Sequence, residues 1–83
     1  MGSLRFDGVR FVAYSKDHLP PHVHGFYAGV EIIVELSNHQ AFLSNREKAV
    51  VPRNAKRSDV KKILTAAAEN ANLLISLWEQ THD

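Results

Sequence analysis

Three histidines fall within seven residues in the run Asp17-His18-Leu19-Pro20-Pro21-His22-Val23-His24. His22 and His24 are two apart, so on a β-strand both imidazoles project from one face. The diproline stiffens the approach and sets Asp17 and His18 at the start of that strand. Three chemistries suit the set. Neutral imidazoles bind transition metals, and His22 and His24 form a two-ligand platform that Glu35, His18 or Asp17 would complete. Histidines titrate near pH 6.5 when unperturbed, at about the pH of the cell. His18, His22 and His24 are therefore also candidate acid and base groups of a small ribonuclease-like enzyme, with a Lys or Arg steadying the developing charge. The third reading is architectural: the ring edges hydrogen-bond across the loop and pin the diproline turn. His39 follows a turn asparagine and reads as solvated. His82 stands at the end of the sequence, where disorder is the default.

A second chemistry lies in the charge distribution. Ten Lys and Arg against nine Asp and Glu give a net charge of +1. From Arg46 to Lys62, seven basic residues meet two acidic ones. Within that stretch Arg53, Lys56, Arg57, Lys61 and Lys62 crowd the expected start of a helix. Cations there oppose the helix macrodipole, at about 0.3–1 kcal/mol each when exposed. The same helix end attracts anions. These five residues are therefore a candidate anion-binding surface, for RNA, DNA or an acidic partner. The plainer reading is a charged segment that keeps the chain soluble.

The elements that must position these groups follow from periodicity. Val60, Ile63, Leu64, Ala67, Ala71, Leu74, Ile75 and Trp78 recur at helical spacing and predict one amphipathic helix over 58–81, with Ser58 as N-cap. Its length of roughly 35 Å makes it lie across a sheet or against another chain. Strands are expected within 4–44. Leu4 to Phe6 and Val9 to Tyr14 flank Asp7-Gly8. His22 to Tyr27 and Val30 to Leu36 flank Ala28-Gly29. A two-residue loop there pairs Tyr27 with Val30, Gly25 with Ile32 and Val23 with Val34 on a core face. It pairs His22 with Glu35, His24 with Ile33 and Phe26 with Glu31 on the other. Gln40 to Leu43 reads as a weak fourth strand. The polar stretch 45–57, with Pro52 and Asn54, reads as a basic loop.

The histidine run resembles the signature of a bacterial family known as domain of unknown function 4160: an acid, His, any residue, Pro-Pro-His, an apolar residue, His. Gly8 to Ser15, the hairpin Gly29 and the late Trp78 also fit that pattern. The resemblance implies a small bacterial protein encoded beside another small protein, as in toxin–antitoxin-type pairs. It assigns no catalytic residue. Gly25 stands where relatives carry a larger side chain.

The chain is expected to be one domain over 1–83. Its fold class is α+β: a three- to four-stranded antiparallel sheet packed on one long C-terminal helix. Its 83 residues include no cysteine, which excludes disulfides, thiolate nucleophiles and Cys-ligated zinc. No apolar run is long enough to span a bilayer, and a cytoplasmic location is expected. Phe26 and Ile33 on the histidine face favour a homodimer or a small protein partner. The function expected first is an interaction module of a two-gene pair. The alternatives are the ribonuclease-like enzyme and a metal-binding domain, a transition metal being the cofactor that the cluster implies.

Overall fold

A computed structural model describes residues 2–82. Six strands form one antiparallel sheet, and two helices cover one face. The strands are β1 (Gly2–Phe6), β2 (Val9–Ala13), β3 (His22–Tyr27), β4 (Val30–Ser37), β5 (Gln40–Leu43) and β6 (Val50–Val51). The helices are α1 (Arg57–Glu69) and α2 (Ala71–Thr81). The sheet runs β1-β2-β3-β4-β5, with β6 also on β4.

Three hairpins close on two-residue turns. Asp7-Gly8, Ala28-Gly29 and Asn38-His39 all have positive φ at both central positions, the type I′ geometry that matches strand twist. The β3–β4 register is the one that the hydrophobic alternation specifies: His22 opposite Glu35, His24 opposite Ile33 and Tyr27 opposite Val30. Val23, Val30, Ile32 and Val34 are buried beneath the helices with Phe11, Ile63, Leu74 and Trp78.

Gly25 belongs to this inner face. A Cβ there would lie 2.5 Å from Ile63 Cγ2 and 3.0 Å from Phe11 Cε1. The missing side chain lets α1 sit close on β3. The space it leaves is on the helix side of the sheet, filled by Ile63, and not beside the histidines.

Three expectations are corrected. The sheet has more strands than the three or four expected, because Val50–Val51 of the stretch read as loop pairs with Glu31 and Ile32. β5 covers only Val34 to Ser37 of the longer β4, which leaves those edge groups needing partners. The single helix over 58–81 is two helices meeting at Asn70. There the Asn70 side-chain amide donates to the Ala66 carbonyl at 2.8 Å, and the Asn70 N–H turns to Ala67 instead. A side chain that competes for the i−4 carbonyl ends a helix. The break lets α1 pack mainly on β3 to β5 and α2 mainly on β1 to β3. The N-cap is Lys56 rather than Ser58, since the Lys56 carbonyl already accepts the first helical N–H groups. No helix among the described residues is long and apolar enough to cross a membrane.

Candidate metal centre

The site gathers where β3 begins. β2 ends at Ala13, and the chain then folds through Tyr14 to Pro21 over the sheet's end before entering β3 at His22. Leu19-Pro20 is a cis peptide bond. The loop is tied on two sides, by Asp17 N–H donating to the Tyr14 carbonyl (3.1 Å) and by Leu36 N–H donating to the Pro21 carbonyl (3.0 Å). These ties hold Asp17 above the first residues of β3.

Strand alternation and this loop bring three groups together. His22 Nε2 and His24 Nε2 each lie 3.1 Å from the same oxygen, Asp17 Oδ2. The two imidazole rings are 5.6 Å apart, edge to face. One ligand atom from each of Asp17, His22 and His24 falls within 4.8 Å of the others, a grouping able to hold a metal ion. His22 is 1% exposed and walled by Trp78 of α2, whose ring centroid is 5.3 Å away. Asp17 and His24 are partly open to solvent, and Tyr14 packs edge-on against His24 at 4.9 Å.

The outer partners of the two imidazoles differ, and the difference is chemical. His22 Nδ1 donates to the Pro20 carbonyl at 2.8 Å. A carbonyl only accepts, so this bond puts the ring proton on Nδ1. His22 Nε2 is buried and makes no hydrogen bond: Asp17 Oδ2 is near it but out of line. His24 Nδ1 lies 3.1 Å from Glu31 Oε2 and its Nε2 lies 3.1 Å from Asp17 Oδ2; a neutral ring carries one N–H and donates to one of the two carboxylates. His24 thus spans two carboxylates, while His22 presents a bare nitrogen to one.

The remaining candidates lie elsewhere. Glu35 accepts a 2.7 Å hydrogen bond from Ser44 Oγ, and the carboxylate beside the imidazoles is Asp17. His18 is exposed on the loop and lines an open groove with Asp17, Leu19, Trp78 and His82. Arg53, Lys56, Arg57, Lys61 and Lys62 are all exposed. Arg53, Arg57 and Lys61 line a groove floored by Val50, Ala55, Val60 and Leu64, and Lys62 Nζ lies 6.0 Å from the Tyr27 ring. Tyr27 ends the strand that His22 begins, so Lys62 stands about 16 Å along β3 from the imidazoles, while Val50 of the groove pairs with Ile32, opposite Gly25 in mid-strand.

A model of the family described as Domain of unknown function (DUF4160) matches residues 8–79. The chain belongs to this family. No curated protein and no solved structure matches it. The matched span holds Asp17, His22, His24 and Glu31, along with β2 to β6 and nearly all of both helices.

Two residues of the neighbourhood have no site role in the sequence pattern, although the pattern sets Glu31 on the histidine face. Glu31 comes from the far strand of the β3–β4 hairpin, and the register pairs it with Phe26 rather than with a histidine. It reaches His24 diagonally, as long side chains on one face of a sheet do. His82 was left without a role. Its ring stacks on Trp78, with centroids 3.5 Å apart and planes at 21°. No local signal ties it to Asp17, which is 65 residues away.

Proposed function

We propose that the protein binds one transition-metal ion between Asp17, His22 and His24. The observation that carries this reading is the bare Nε2 of His22. A buried nitrogen without a partner costs about 1–3 kcal/mol. A carboxylate oxygen also stands 3.1 Å away, an unfavourable neighbour for a bare nitrogen unless a cation lies close to both. The Nδ1–H bond to Pro20 holds the ring in the tautomer that a metal ligand requires, and the Glu31 carboxylate does the same service for His24. Backbone carbonyls and carboxylates are the usual outer partners of ligating histidines.

The spacing fits the same reading. Two ligand atoms 3.1 Å apart, each about 2.1 Å from a metal, subtend about 95°. Two imidazoles and one carboxylate leave coordination positions free, the composition of sites that exchange ligands rather than of closed structural sites. The partial exposure of Asp17 and His24, and the groove beside Asp17, give those positions access to solvent. The proposed activity is thus that of a mononuclear metal centre open to a small exogenous ligand.

Metal analysis and calorimetry on tag-free protein test the proposal. One equivalent of zinc, nickel, iron(II) or copper per chain, with a rise in melting temperature on addition, is the expected result. Substoichiometric metal with no thermal shift overturns it.

A second reading concerns a partner. Phe42 and Val51 are 45% and 48% exposed on the outer side of the sheet, opposite Glu35 and Glu31. These apolar groups support an interaction module, the member of a toxin–antitoxin-type pair that its family resemblance suggests. Coexpression with the product of the neighbouring gene tests it: comigration is expected, and separate migration removes the reading.

A further inference from the structure

The end of α2 touches two of the three ligand candidates. His82 closes the helix, and its Nε2 lies 2.9 Å from the backbone carbonyl oxygen of Asp17. Its Nδ1 lies 2.9 Å from the carbonyl oxygen of Trp78, one helical turn back. The ring is stacked on the Trp78 indole, and the same indole packs against His22. The contact with Asp17 is therefore made by a ring fixed on its own helix. Both neighbours are carbonyl oxygens, so a neutral ring donates to one of them, and the tautomer with its proton on Nε2 is the one that reaches the loop.

From this we infer that His82 is a positioning residue of the metal centre. It holds the Asp17 backbone so that the carboxylate points at His22 and His24. The inference rests on the metal reading above and adds to it a link between two distant parts of the chain. Asp17 sits on an exposed loop, and its own backbone N–H reaches only to Tyr14, within the same loop. The His82 bond ties that residue to a helix packed in the core. Binding at the centre and docking of the last turn of α2 then favour each other, because the coupling of two equilibria is reciprocal.

Two variants separate positioning from simple structural support. His82→Phe keeps an aromatic ring to stack on Trp78 and removes both nitrogens. His82→Gln loses the stack and keeps a side-chain amide able to donate. Zinc affinity is measured by competition with a chelating dye, and cobalt(II) absorption reports the geometry of the ligands. His82→Phe is expected to weaken zinc binding by about tenfold or more, within the range seen when an outer partner of a metal site is lost. It should also alter the cobalt(II) spectrum while the metal-free melting temperature moves little. His82→Gln is expected to recover part of the affinity. In the unaltered protein, zinc should slow hydrogen exchange at the amides of Leu77 to His82. Unchanged affinity and an unchanged spectrum in His82→Phe overturn the inference. If that variant does not fold, a zinc-indifferent exchange rate at Leu77 to His82 overturns it instead. An unaltered protein that takes up no metal fails earlier and tells against the metal reading itself.

Discussion

Replacing His22 by leucine separates a ligand from a pin. In the metal-free chain the change removes the hydrogen bond to the Pro20 carbonyl, a loss of about 0.5–1.5 kcal/mol. It also removes a buried nitrogen without a partner, a gain of about 1–3 kcal/mol. Pro20 is exposed, so its carbonyl finds water. The metal-free variant should therefore melt close to the unaltered protein. With zinc the outcomes diverge. At free zinc one hundred times Kd, the unaltered protein gains about 2.7 kcal/mol. In a domain of this size 1 kcal/mol moves the melting temperature by about 4–8 °C, so the expected rise is about 11–22 °C. If losing one of three ligands weakens binding a hundredfold, the same zinc gives His22→Leu only about 0.4 kcal/mol, a rise of about 2–3 °C. Thermal melts after chelator treatment, with and without zinc, read both numbers. A full zinc shift in His22→Leu refutes the assignment of His22 as a ligand. Destabilisation of the metal-free variant by 3 kcal/mol or more makes the ring an architectural element, as an imidazole wedged against Trp78 would be (about 3 kcal/mol being the cost of a large core loss).

Other consequences are more local. Glu31→Gln should weaken zinc binding by about 10–100-fold in a competition assay while the metal-free fold persists, because Glu31 reaches the centre only through His24 Nδ1. Gly25→Ala should cost about 1–3 kcal/mol in urea denaturation, since its Cβ would stand 2.5 Å from Ile63 Cγ2; zinc affinity in the folded fraction should not change, as that collision is on the far face of the sheet. Arg57→Glu places an acid at the first residue of α1 and should raise stability by about 0.3–1 kcal/mol in low salt, fading as salt is added. If RNA is retained by the basic groove, reversing Arg53, Arg57 and Lys61 together should abolish that retention in filter binding and leave zinc affinity intact; retention equal to that of the unaltered protein places RNA elsewhere.

What the sequence made legible was whatever depends on neighbours in the chain. Alternating apolar residues on both sides of Ala28-Gly29 determine a register in which one slip would expose Ile32 and Val34, so the pairing follows from the pattern alone. The helical stripe from Val60 to Trp78 is equally local. Its interruption was not legible, because Asn70 is an acceptable helix residue until its amide takes the Ala66 carbonyl. The pairing of Val50–Val51 depends on how much of β4 is left uncovered by β5, a fact of the assembled sheet. Among the site residues, His22 and His24 were placed by strand alternation. The choice between Asp17 and Glu35 was not: both are near in sequence or register, and only the path of the loop from Tyr14 to Pro21 decides which carboxylate arrives.

The site also breaks the rules that the rest of the chain obeys. Elsewhere propensity, alternation and burial agree, as they do when a sequence specifies one structure. At the start of β3 a histidine is buried with an unsatisfied nitrogen, and two carboxylates crowd its neighbour. A fold seeking stability alone would place a valine or leucine at position 22, on a strand that already carries Val23 into the core. Such an exception costs about as much as one good hydrogen bond returns, and a bound cation would offset it. The pinning reading accounts for His22 Nδ1 and for one N–H of His24, but it leaves Nε2 of His22 idle. A cation between that nitrogen and Asp17 employs all four ring nitrogens of the pair, and for that reason the metal reading takes precedence over the turn lock.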